Sequence, residues 1–110
     1  MLPMMTKTEL RKLPIKTRRA VRGNLRKALR LLGRNGENWI QRMDTDGERC
    51  FCSRGAIRHA NGPAEDLAIE AFGAVLPRKL GGYIPAYNDA TKRKFADIKK
   101  KFKQAIELMA

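Results

Sequence analysis

The clearest order among the apolar positions lies between residues 17 and 32, where they recur every three or four residues. This spacing predicts an amphipathic helix. Its apolar stripe consists of Val21, Leu25, Ala28, Leu29 and Leu32. Thr17 is a suitable N-cap and Gly33 a suitable C-terminal stop, so we expect the helix to span residues 17–32.

Two later segments repeat the helical period. Pro63 suits the first turn of a helix whose apolar positions continue until Pro77 ends it. A final helix is predicted over the apolar positions of residues 95–109, with Asp89 or Thr91 as its N-cap. The residues between these two helices, 78–90, are predicted to form an irregular loop.

Shorter helices are predicted from capping signals. The spacing from Thr6 to Glu9 is that of a capping box, which indicates a short helix near the N-terminus. Ser53 is a suitable N-cap for another short helix, residues 54–60, which should end at Asn61-Gly62.

Residues 39–52 have the pattern of a β-hairpin. Two short runs, 39–43 and 49–52, flank Asp46-Gly47, a typical hairpin turn. We therefore predict an α+β fold, mostly helical, with three to five helices around one two-stranded antiparallel hairpin. A chain of 110 residues fits one modest core. The expected division is an N-terminal tail or short helix at 1–16 and a single α+β domain at 17–110.

The chain shows none of the usual signs of a membrane or secreted protein. Its apolar runs are far shorter than the roughly 18 residues of a membrane span, and its N-terminus lacks the apolar region of a secretory signal. Cys50 and Cys52 are two residues apart on a predicted strand, where a disulfide would be strained. We expect reduced cysteines and a cytoplasmic protein.

Positive charge is the dominant compositional feature, and it is segregated. The formal net charge is +13, with about +10 in residues 1–36, about −2 in residues 37–91 and about +5 in residues 92–110. Self-repulsion of this kind costs stability, and an anionic partner is the usual reason to tolerate it.

The cations concentrate on the first long helix and the last one. Arg22, Arg26 and Arg30 are four residues apart, so they line one flank of a helix that contains no acid. The candidate contacts to phosphates or to an acidic partner are Arg19, Arg22, Arg26, Arg30, Lys99, Lys100 and Lys103. Residues 92–94 place three cations at the N-terminal end of the last helix, which is unfavourable unless an anion lies there.

The cysteines permit two other interpretations. Cys50, Cys52 and His59 could be zinc ligands, but a structural site usually has four Cys or His ligands. Cys52 could be a nucleophile, but His59 would lie about 10 Å away along a shared helix, too far to act as its base. We therefore expect no metal, no cofactor and no catalytic residue. Gly55 is interpreted as a site of close helix packing rather than of phosphate binding.

Several short motifs together resemble a known family. They are Trp39, Asp46-Gly47, the hexapeptide Cys52–Ile57 and Tyr87-Asn88-Asp89. Their order over residues 20–108 resembles a family of small proteins of unknown function from actinobacteria, other bacteria and phages. Tyr87 stands where this family's pattern has Trp. The resemblance implies a common fold and a bacterial or phage setting, and it implies no activity.

The sequence therefore favours a small basic protein that binds nucleic acid, DNA or RNA, through phosphate contacts without reading the sequence. One alternative is a phage or mobile-element protein that inhibits, or docks on, an acidic surface of a host protein. A weaker alternative is a thiol- or metal-dependent enzyme that uses Cys52.

Overall fold

The computed structural model describes residues 4–60 and 62–110, which are almost entirely helices and the loops between them. In chain order the helices are α1 (Lys7–Arg11), α2 (Ile15–Leu32), α3 (Ser53–His59), α4 (Glu65–Ala74), a 3₁₀ helix (Arg78–Leu80), α5 (Ile84–Asn88) and α6 (Phe95–Leu108). Within this part of the chain, no helix is long and apolar enough to cross a membrane.

Helix α2 is the centre of the fold, and α3, α4 and α6 all pack against it. Its apolar stripe supplies Val21, Leu25, Ala28 and Leu32 to the core, all fully buried. The helix ends at Leu32 as the sequence predicts. It begins at Ile15, two residues before the predicted cap Thr17, and its N-cap is Pro14, which makes no side-chain capping hydrogen bond.

The predicted α+β fold is wrong, because residues 39–52 form no hairpin. Over the described residues there are no strands, and this loop contributes only two isolated bridges, from Trp39 and from Thr45, both to Phe51. Arg42 has a φ of 71°, in the left-handed region, which interrupts an extended run. Asp46 accepts backbone hydrogen bonds from the three residues after Gly47, so it forms a turn without a strand ladder.

The other differences concern where short helices begin. The N-cap of α3 is Cys52, one residue before the predicted Ser53, and the predicted end of this helix at Asn61 lies outside the described residues. Helix α4 begins at Glu65 rather than at Pro63. The segment predicted as an irregular loop contains the 3₁₀ helix and α5, which are too short to show a period.

The two ends of the described chain close the core. Leu10 on α1 is fully buried where α1 meets α4 and α6, and the predicted capping box of Thr6 and Glu9 is present. Phe72 of α4 and Phe102 of α6 pack with ring centroids 4.7 Å apart. Residues 1–3 of the predicted tail lie outside the described residues.

Candidate nucleic-acid interface

The two most basic helices, α2 and α6, pack side by side in opposite directions. Near the start of α2, Arg18 Nη1 donates a 2.7 Å hydrogen bond to the carbonyl oxygen of Ala110, just beyond the end of α6. Past the other end of α2, the carbonyl oxygen of Arg34 accepts a 3.3 Å hydrogen bond from Lys99 Nζ, in the first half of α6. The C-terminal end of α2 therefore lies beside the N-terminal half of α6.

An open cavity of about 550 Å³ lies at this junction. We call it the basic groove; its lining residues are Arg26, Leu29, Arg30, Gly33, Arg34 and Lys99. Four of the six are cations and none is an acid. The Glu37 carboxylate lies against Gly33, one of the lining residues, and accepts hydrogen bonds from the backbone N–H of Asn35. The groove is therefore lined by four cations and by the apolar side chain of Leu29, with one carboxylate beside Gly33.

The cations of the groove are not neutralised by ion pairs. In residues 4–60 and 62–110, ion pairs form only at Asp44, which lies 3.2 Å from Arg54 and 3.6 Å from Arg58. No Lys or Arg of α2 and α6 therefore has an Asp or Glu carboxylate within 4 Å among the described residues. Because unpaired like charges raise the local potential, the electrostatic potential of this surface is positive.

The seven residues predicted to contact phosphates fall into three groups. Arg26, Arg30 and Lys99 line the basic groove. Arg19 is exposed on α2 outside the groove, and Lys100 and Lys103 are exposed on α6 outside it. Arg22 is half-buried, and its Nε is buried with no hydrogen-bond partner among the described residues.

Sequence reasoning missed one residue of the groove, Arg34. It follows the helix stop at Gly33 by one residue, so the helical spacing that marked the other arginines does not include it. Arg34 becomes part of the site because the chain turns at Gly33 toward α6, where the Arg34 carbonyl oxygen accepts the hydrogen bond from Lys99. The position of the stop was the one available signal.

Two of the three basic residues that precede α6, Arg93 and Lys94, make hydrogen bonds within the protein. Arg93 Nε donates a 2.8 Å hydrogen bond to the carbonyl oxygen of Tyr87, and its guanidinium lies 3.7 Å above the Tyr87 ring. The Asp97 carboxylate accepts a hydrogen bond from the backbone N–H of Lys94, which is the cap that neither Asp89 nor Thr91 provides. The Arg93 side chain is therefore held within the protein, whereas Lys92 and Lys94 are exposed.

Cys52 lies in a setting that does not favour a nucleophile. Burial, together with a hydrogen bond from its Sγ to Asp44 Oδ1 at 3.3 Å, raises its pKa to about 11, although the Gly55 N–H donates to the sulfur. The reactive form of a cysteine is the thiolate, which is scarce at neutral pH with such a pKa.

The His59 ring packs on Phe51, with centroids 4.6 Å apart. Among the described residues, no three His, Cys, Asp or Glu side chains are arranged to hold a metal.

The motif residues meet at Asn88, a fully buried side chain of α5. Its Oδ1 accepts hydrogen bonds from Trp39 Nε1 at 2.7 Å and from the N–H and hydroxyl of Ser53 at 3.0 and 2.7 Å. Its Nδ2 donates to the Ile40 carbonyl oxygen at 3.0 Å and to Asp89 Oδ1 at 2.9 Å. This network ties the 39–52 loop and the start of α3 to α5.

Comparison with known proteins gives a family but no activity. No curated protein and no solved structure matches the chain. A family model described as "Family of unknown function (DUF6197)" matches residues 16–108. The expectation of a family of unknown function is therefore confirmed. The chain belongs to this family, DUF6197.

Proposed function

We propose that this protein binds nucleic acid, DNA or RNA, through contacts to phosphates that do not depend on base sequence. The observation that supports this most is the basic groove, in which α2, the loop after it and α6 bring together four cations that have no ion-pair partner among the described residues. Three of the four are arginines, whose planar guanidinium can bind a phosphate through two parallel hydrogen bonds.

The setting is part of the proposal. A cytoplasmic protein of a bacterium or phage would meet nucleic acid directly, and reduced cysteines suit that compartment. Cys50 and Cys52 are both free thiols, and burial raises the pKa of each. They are therefore largely protonated at neutral pH, which agrees with a role in packing.

A salt titration tests the proposal. Fluorescence anisotropy measures the affinity for a labelled duplex and for a labelled single strand at several salt concentrations. On a duplex, each contacted phosphate contributes about 0.9 to the slope of log K against log salt, so four contacts give about −3.6. The affinity should then fall about 150-fold between 50 and 200 mM salt.

Two variants of equal charge show where the nucleic acid binds. Arg26→Gln with Arg30→Gln removes two groove cations and should reduce the slope to about −1.8. Arg78→Gln with Lys79→Gln removes two exposed cations from the 3₁₀ helix and should leave the slope near its original value. Equal losses in the two variants would refute the groove as the site. Absence of binding to any nucleic acid would direct the search to an acidic protein partner.

A further inference from the structure

A second cavity, of about 310 Å³, lies where the 39–52 loop, the start of α3 and α5 meet. We call it the tyrosine cavity; it is lined by Arg42, Met43, Asp44, Cys52, Arg54, Tyr83, Pro85 and Asp89. Its volume is at the small end of the roughly 300–1,000 Å³ typical of ligand pockets. It combines an aromatic ring, two carboxylates and two guanidinium groups.

The aromatic ring of this cavity is available for stacking. Three large hydrophobic side chains are exposed in the described part of the chain, and two of them, Tyr83 at 58% and Met43 at 54%, line this cavity. The Arg54 guanidinium lies 5.9 Å from the centre of the Tyr83 ring, on one side of it. Exposed aromatic side chains of this kind carry much of the binding energy for unstacked bases.

Hydrogen bonds hold the polar groups of the cavity in place and leave some of these groups free to bind a ligand. Asp89 Oδ1 accepts the hydrogen bonds from Arg42 N at 2.8 Å and from Asn88 Nδ2 at 2.9 Å. Both bonds go to the same oxygen, so Oδ2 can accept a hydrogen bond from a ligand. Asp44 is already paired with Arg54 and Arg58, and the guanidinium of the exposed Arg42 has no Asp or Glu carboxylate within 4 Å among the described residues.

We propose that the tyrosine cavity receives an unpaired base of a single-stranded nucleic acid. The base would stack on Tyr83, an N–H of its edge would donate to Asp89 Oδ2, and Arg42 would contact a neighbouring phosphate. This proposal rests on the proposed function and narrows it to single strands. A cationic peptide would also suit a carboxylate, but a chain with a net charge of +13 repels it, whereas a nucleic acid is attracted.

The experiment distinguishes the contribution of the bases to binding from that of the sugar-phosphate backbone. Affinity is measured for a labelled ten-nucleotide thymidine strand and for an abasic strand of the same length and charge. Tyr83→Ala should weaken binding to the thymidine strand by about 5- to 150-fold, the usual effect of removing one stacking aromatic side chain. It should leave binding to the abasic strand unchanged, and Tyr83→Phe should keep the wild-type affinity for both.

Controls keep this proposal distinct from the proposed function. Ile15→Ala removes another exposed apolar side chain, on α2, and should change neither affinity. Arg26→Gln with Arg30→Gln should weaken both strands alike. Strong binding that Tyr83→Ala does not reduce, or a loss that is equal on the two strands, overturns the base site and leaves the groove intact. If the wild-type protein binds a duplex but neither single strand, the base site is refuted and the groove stands, whereas absence of binding to any nucleic acid refutes both.

Discussion

Replacing Asn88 by Ala should destabilise the protein more than any exposed substitution, because this side chain makes five hydrogen bonds from a fully buried position. The change leaves two groups of the fully buried Ser53, its N–H and its hydroxyl, without their acceptor. Each orphaned buried group costs about 1–3 kcal/mol, so the expected loss is about 4 kcal/mol. That is a large part of the roughly 5–15 kcal/mol that holds an ordinary domain folded.

The loss is measured by urea unfolding followed by circular dichroism at 222 nm, which reports the helices and not the single Trp whose environment the change alters. Asn35→Ala, at an exposed position in the loop after α2, is the matched control and should stay within about 0.5 kcal/mol of the wild type. A cost of less than about 1 kcal/mol for Asn88→Ala would refute the view that this network holds the loop in place.

Two further predictions concern Gly55 and Cys52. A Cβ at Gly55 would collide with the backbone carbonyl of Asp44, so Gly55→Ala should cost about 1–3 kcal/mol in the same assay. Gly23→Ala, with open space around it in α2, should instead stabilise the protein by about 0.5–1 kcal/mol; equal effects would refute the close approach. In a Cys50→Ser variant, alkylation of folded Cys52 should remain slow at neutral pH and rise only as the pH approaches about 11. Rapid alkylation at pH 7 would contradict the buried, protonated thiol.

The long helices follow from local pattern because their stability comes from one apolar face. The stripe in α2 recurs over several turns and ends at a glycine, so its core positions and its C-terminus at Leu32 could be predicted. The N-cap of α6 could not be predicted in this way. The capping hydrogen bond runs from the backbone N–H of Lys94 to Asp97 inside the helix, and neither Asp89 nor Thr91 upstream takes part in it. Helix α5 has five residues, too few to show a period.

The hairpin was predicted wrongly because the prediction used only neighbouring residues, whereas hydrogen bonds to residues distant in the sequence determine the structure of this loop. An Asp-Gly turn between two short runs favours paired strands when only neighbouring residues are considered. In the structure, the Ile40 carbonyl oxygen bonds to the Asn88 side chain and the Arg42 N–H bonds to the Asp89 side chain. These two backbone groups are therefore not available for a strand ladder. Asn88 and Asp89 lie more than 45 residues along the chain from Ile40 and Arg42.

The basic character of the candidate interface was visible in the sequence, but its geometry was not. Helical spacing placed Arg22, Arg26 and Arg30 on one flank of α2, yet only the last two line the groove. Arg22 is half-buried, and Lys99 reaches the groove because α2 and α6 pack in opposite directions. Tertiary packing of this kind has no signature in residue spacing.

The most direct test of the proposed interface observes the arginine side chains themselves. Nuclear magnetic resonance of the Nε–Hε groups is recorded while a twelve-base-pair duplex is added at low salt. We predict that the signals of Arg26, Arg30 and Arg34 shift first and saturate together, while that of Arg78, exposed on the 3₁₀ helix, stays nearly constant. Equal shifts of all four signals, or a shift of Arg78 alone, would contradict binding of nucleic acid in the basic groove.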